Sequence, residues 1–493
     1  MAGLGYWLVN GAYGLFLLLY VYAAAAYGLT RTPQMFVFEW ALGFTFAIWL
    51  IGHFLQGQLP KTGGWPWIVC GLVLGFGWFV TGMGILDDVI TFGDHPTLEN
   101  WFPSVLLDDW STRDAPLSVT AMWRTTALLG GMLLAIDFWS DSSRGRILVL
   151  TMILSSCAMV LFFFLQRIVG PPFTLTGMDG KTLLAFATYR YHGNAAAYLN
   201  MFWPMIASVA IFAAIRQTFG WPFWFIPLAI TFVATFLNIS KAGNVLAVAG
   251  IAILLLVLIP FAVREIKRSG RTIRRSRVLV ALVPVLIITA SLPFAIPWHR
   301  WQHYQDSISD PGARMGAYAH FLKMVPDAGM PGFGPGVFVK YYGQYLSDDP
   351  RLKNAPYWVA HEDYIQTLVE WGYIGTTLWG LLLIPPSILL FRSAIKKPKP
   401  VPHEFEDYRI SAADHLKAFL GTIPGPNTPC LAAGAFTGIA LTALHSSVDF
   451  PMQILSLQFY FLTLIALGWS HARSEKAGPL SPSLSNPRDA EHP

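Results

Sequence analysis

Charge is what this sequence has least of. Asp, Glu, Lys and Arg make up 12% of its 493 residues, where a soluble domain carries about 25%. Hydrophobic residues reach 54% and the mean hydropathy is +0.49, which together argue against an ordinary water-soluble fold. Cysteine is nearly missing. Cys70, Cys157 and Cys430 are too few and too scattered for a disulfide framework or a zinc site, and they read as core or lipid-facing thiols. The alternating segments of about 10 residues that build a membrane β-barrel are absent too. No internal repeat is visible, nor are the broken helices at matching positions in two halves that a secondary transporter shows. The net charge of +5 does not point to nucleic acid, because the basic residues cluster in short loops between apolar runs, where membrane topology accounts for them.

What remains is apolar runs, several of which reach the roughly 20 residues needed to cross a ~30 Å hydrocarbon core as helix. The fold class expected is all-α, a polytopic membrane protein with about 12 transmembrane helices. Predicted segments run over 4–28, 36–55, 65–86, 118–139, 147–165, 195–215, 221–237, 245–263, 278–297, 365–391, 431–445 and 454–469. The first is read as a retained helix, although Ala23-Ala24-Ala25-Ala26 imitates a signal-peptidase site. Arg264, Lys267, Arg268, Arg271, Arg274, Arg275 and Arg277 crowd one short loop, which the positive-inside rule makes cytoplasmic. Counting outward, both termini fall inside. The chain then divides into helices 1–9 over 1–297, a large external loop over 298–364, and helices 10–12 over 365–471 with a cytoplasmic loop at about 392–430. A Ser/Pro-rich tail over 472–493 reads as disordered.

The longest polar stretch, Asp310 to Gly375, holds most of the candidate chemistry. His361 is followed by Glu362, Asp363, Gln366, Thr367 and Glu370. At 100° per residue the last five share one arc of a helix, and a polar stripe entering a membrane is expected to face a water-filled cavity. His361 falls off that arc, at or just before the helix start, where a histidine can act as general base near neutral pH. Glu362 or Asp363 is expected to orient it. The bland alternative is a helix N-terminus decorated with acids that favour its dipole, which accounts for Glu362 and Asp363 but poorly for His361. A metal site is disfavoured, because consecutive His-Glu-Asp side chains diverge and no i, i+4 ligand pair is present.

Gly332-Phe333-Gly334-Pro335-Gly336 lacks both the Lys-Ser/Thr ending of a P-loop and the helix pattern of a dinucleotide fold. It reads as a rigid turn that brings Arg314 and His361 together. Arg190 (in Tyr189-Arg190-Tyr191-His192) and Lys241 (in Ser240-Lys241-Ala242-Gly243) join Arg314 on the external side. Three converging cations suit a phosphate-bearing lipid; taken singly, each is equally an interfacial cation reaching for headgroups. His445-Ser446-Ser447-Val448-Asp449-Phe450-Pro451 is either a second acid–base pair or, the favoured reading, a hydrogen-bonded turn capping two helices. Arg124, inside the fourth segment, should face a cavity or a partner. Glu39 and His53 read as interfacial.

These pieces, in this order, resemble the O-antigen ligase and polymerase superfamily. The resemblance rests on Arg190–Tyr198, on Ser240–Gly243, on the block from Arg314 through Gly334-Pro335-Gly336-Val337-Phe338 to Ala360-His361-Glu362-Asp363-Tyr364, and on His445 to Pro451. It covers roughly Tyr189 to the last helix. It implies a multi-pass glycosyltransferase of the bacterial inner (cytoplasmic) membrane, with both termini cytoplasmic and a periplasmic active site. Such an enzyme moves a glycan from an undecaprenyl-pyrophosphate-linked donor to a glycan, lipid or protein acceptor. It uses no metal and no cofactor. By resemblance, His361 and Arg314 match the family's loop histidine and arginine, and Lys241 stands where many members carry arginine. Glu362 stands where Asn is usual. The catalytic set is then His361, Arg314 and Glu362, and the substrate-binding set Lys241, Arg190, His192, Asp363 and Glu370. The competing readings are a polysaccharide or lipid transporter or flippase, and a non-catalytic scaffold for envelope assembly.

Overall fold

A computed structural model describes residues 1–92, 110–169, 185–216, 218, 220–269, 311–346, 357–396 and 419–476. The described chain is helical, with no β-strand among these residues. In chain order its helices are α1 (Ala2–Ala25), α2 (Thr32–Gln56), α3 (Gly64–Phe92), α4 (Ala115–Trp139), α5 (Ser142–Val169), α6 (His192–Arg216), α7 (Phe225–Leu237) and α8 (Lys241–Ser269). Three short helices follow, α9 (Pro311–Leu322), α10 (Met324–Ala328) and α11 (Phe338–Leu346). The last are α12 (Asp363–Ile395), α13 (Pro429–His445) and α14 (Leu455–Lys476). Eight of them, α1–α6, α8 and α12, are long and apolar enough to cross a membrane. The apolar stretches Trp221–Leu237 and α13 are shorter. Eleven of the predicted segments correspond to α1–α8 and α12–α14; the ninth, 278–297, lies outside the described residues.

Contacts at helix ends fix the direction of travel. At one end α1 meets α2 where Gly5 packs on Gly52, and Lys61 N before α3 donates to Asp137 Oδ1 at the end of α4 (2.7 Å). Arg264 of α8 reaches the last carbonyl of α12, Ile395 O, there (2.9 Å). At the other end Gly28 packs on Tyr189, Asn238 Nδ2 donates to His192 O (3.0 Å), and Met452 N donates to Asp363 Oδ2 (2.9 Å). Helices α1–α8 therefore alternate in direction, and α12 starts at the same end as α8 and runs the same way. The segments carrying the candidate residues all emerge at this second end.

The bundle core is aromatic. Tyr13, Phe16, Tyr20, Phe38, Phe138, Phe202, Phe459 and Tyr460 pack edge-on or tilted, burying large area with favourable ring geometry. Charges inside it are paired. Arg124 Nε donates to Glu39 Oε1 (2.8 Å), which supplies the partner expected of an intramembrane arginine. Asp137 accepts from Trp49 Nε1 (2.9 Å) and lies 3.1 Å from His53 Nε2. Glu39 and His53 are thus buried against protein; each answers a charge more than 80 positions away.

A second, smaller core sits over the bundle at the candidate end. Phe321, Phe333, Val337, Phe338 and Leu346 form it together with Ile365 and Val369 of α12. A break in α12 anchors it. Gly372 has φ 60°, ψ −169°, so the carbonyls of Val369 and Glu370 lose their helical partners. They accept instead from Phe333 N (2.8 Å) and Gly334 N (3.0 Å). In return Tyr373 N and Ile374 N donate to Gly329 O (3.3 Å) and Met330 O (3.2 Å). The break therefore leaves none of these four backbone groups unpaired, as burial requires. Gly334, at φ +111°, presses its backbone on Thr112 and Ser118, and Ser118 Oγ donates to Pro335 O (3.0 Å). The glycine turn is thus a clamp across α4 and α12, and a short helix, α11, follows it after all.

Candidate functional site

His361 stands two residues before α12 at φ +55°, a left-handed conformation that is uncommon for a residue with a Cβ and that persists only where surroundings enforce it. Here they do. Tyr318 OH donates to His361 O (2.6 Å). Ala360 N donates to Gln366 Oε1 (3.0 Å). Glu362, in extended conformation, caps the helix by accepting from Ile365 N. The imidazole packs against Phe450 (ring centroids 4.6 Å), Tyr357 (6.3 Å) and Tyr191 (6.5 Å).

Its acidic partner is Asp449. His361 Nδ1 lies 3.6 Å from Asp449 Oδ1, and His445 Nε2 lies 3.7 Å from Asp449 Oδ2. One buried carboxylate thus stands between two histidines. Burial works against its ionisation, yet the two imidazoles outweigh that and hold it well below the usual carboxylate range. The Nδ1 of His361 is buried while its side chain keeps a quarter of its area exposed, so the exposed area lies away from Nδ1. Asp449 also ends the turn foreseen at His445–Pro451: Val448 N and Asp449 N both donate to His445 O (3.0 Å each). The turn and the acid–base pair are one object.

The carboxylates expected to orient His361 do other work. Glu362 caps α12, and burial pushes its carboxyl up against the pull of the Ile365 and Tyr364 amides. Asp363 accepts from Met452 N (2.9 Å) and Gln453 Nε2 (3.2 Å), tying α12 to the turn Pro451–Gln453. Glu370 accepts from Gln366 Nε2 (3.0 Å) and Phe338 N (3.3 Å). Asp363, Gln366 and Glu370 are buried. These three members of the stripe therefore face protein rather than a water-filled cavity, because the small core and the Pro451–Gln453 turn supply their partners.

The cations group at the same end. Arg190 is exposed and precedes Tyr191, which stacks on Phe450 (5.2 Å, 16°). His192 is buried as the first residue of α6. Lys241 opens α8 and is exposed; Asn238, three residues earlier, reaches back to His192 O. Arg314 falls in α9, one turn before Tyr318; its side chain lies outside the described ones. Arg190, His192 and Lys241 thus lie at the same end of the bundle as His361, Asp449 and His445, an end called its mouth below. Among the described residues, no three His, Cys, Asp or Glu converge on a point that a metal ion could fill. No family model matches this chain, and no curated protein matches it either.

Proposed function

We propose that this protein is a membrane glycosyltransferase acting on a polyprenyl-pyrophosphate-linked glycan, with His361 as general base. One observation carries the reading: a strained histidine turns one ring nitrogen to a buried aspartate and keeps a quarter of its side chain exposed, at the bundle end that also carries the exposed Arg190 and Lys241. A His–carboxylate pair of this kind fixes the tautomer and stabilises the imidazolium that forms on proton uptake. The distance of 3.6 Å is loose for a hydrogen bond, as such pairs commonly are before substrate binds.

The reaction balances without further groups. His361 takes the proton of an acceptor hydroxyl. The hydroxyl oxygen attacks the anomeric carbon and inverts it, and the bond from that carbon to the pyrophosphate oxygen breaks. Undecaprenyl pyrophosphate leaves with its bonding pair. Its developing charge calls for fixed cations, and Arg190, Lys241 and Arg314 are assigned that role. A guanidinium grips phosphate oxygens in pairs, while Lys241 contributes as a point charge. On this reading the mouth opens to the bacterial periplasm, and α12 and its neighbours hold it at the bilayer surface. The test is transfer by purified protein from an undecaprenyl-pyrophosphate oligosaccharide. Loss of transfer in His361→Ala, with the protein still folded, supports the reading; unchanged transfer rejects it.

A further inference from the structure

The exposed large apolar side chains of this molecule lie mostly on the long helices, where lipid meets them. Trp358 does not. It is 77% exposed, the most exposed tryptophan among the described residues, and it stands in the connector between the small core and α12. Its neighbours are fixed on both sides. Tyr357 N donates to Tyr342 OH (3.1 Å) and its ring packs on Phe321 (5.4 Å). Ala360 is fully buried, and His361 O is held by Tyr318. The indole is therefore displayed by a pinned backbone rather than by a loose one. Three residues of chain span about 10 Å at most, so Trp358 stands within that distance of His361 measured along the backbone.

We infer that Trp358 is a stacking platform for a sugar ring of the glycan whose linkage is made or broken at His361. The inference rests on the transferase reading and adds a recognition element to it. The flat indole face is electron-rich. The C–H groups on one face of a pyranose carry slight positive charge and are apolar, so the two faces attract and shed water together. A glycan reacting at His361 must run its neighbouring units across the adjoining surface, where Trp358 is held. Binding gained this way on a non-reacting ring aligns the reacting one.

The test uses the full-length protein in detergent. The probe is the pool of oligosaccharides released by mild acid from the source cells' own lipid-linked fraction. Saccharide binding by saturation-transfer NMR should weaken about ten-fold in Trp358→Ala, as expected for losing one stacking contact of roughly this class. Trp358→Phe should recover most of it, because a ring face is restored. Equal binding by wild type and Trp358→Ala, or no binding by wild type, overturns the inference. So does a Trp358→Ala protein that binds normally but is lost from the membrane fraction, which would make the indole an interfacial anchor. A protein that binds saccharide through Trp358 yet transfers nothing sinks the transferase reading and leaves this one standing.

Discussion

At the scale of single residues the weight falls on Asp449. Asp449→Asn keeps the shape but removes the charge facing His361, and transfer should drop by on the order of 10²–10⁴ in a steady-state assay. The same carboxyl sets a pH dependence of stability. Its folded value lies below the ordinary one, so its contribution is complete above about pH 4 and is lost as pH falls through the folded value. Thermal unfolding should show stability declining below about pH 4, and Asp449→Asn should flatten that decline. Glu362 has a humbler role: Glu362→Ala should cost about 1 kcal/mol through loss of a helix cap and leave transfer near normal. His361 was conspicuous in the chain alone, since acids decorating a helix start do not account for a histidine beside them. Its partner was not. Asp449 lies 88 positions on, in a stretch whose local hydrogen bonds were reason enough for its residues, and Glu362 and Asp363 stood closer in sequence.

Among the elements, the long helices were plain from their apolar runs; most extend the predicted segments by a few residues, while α1 ends at Ala25 against a predicted 28 and the shorter α7 begins at Phe225 against 221. The break at Gly372 was hidden, because glycine is common in apolar helices and the groups that satisfy the break lie some 40 positions earlier. The glycine turn reads as rigid, but it is held by Thr112, just before α4, and Ser118 on α4, which no local pattern reveals. Gly334→Ala tests the clamp. A Cβ there collides with Thr112 and sits at φ +111°, so the variant should lose roughly 2–3 kcal/mol. Limited proteolysis should show the 311–362 region cut sooner, with α1–α8 protected as before.

For the whole molecule, charged groups far apart in sequence meet inside the bundle, Arg124 with Glu39 and His53 with Asp137. Arg124 is answered by Glu39 and is closed on itself. Glu39→Ala should therefore destabilise by roughly 3 kcal/mol through the arginine left behind, and replacing both by apolar residues should recover most of that in thermal unfolding, with no effect on any ion dependence. Polypeptide direction, core and clamp then converge on one mouth, and that mouth is where the account is most exposed to contradiction. The most direct measurement incubates purified protein with undecaprenyl-pyrophosphate oligosaccharide in EDTA and follows release of the carrier, comparing wild type, His361→Ala and Asp449→Asn. The account expects release by wild type alone, with a small residue in Asp449→Asn. Equal release by all three, or none by wild type, would contradict it and return the mouth to a structural role.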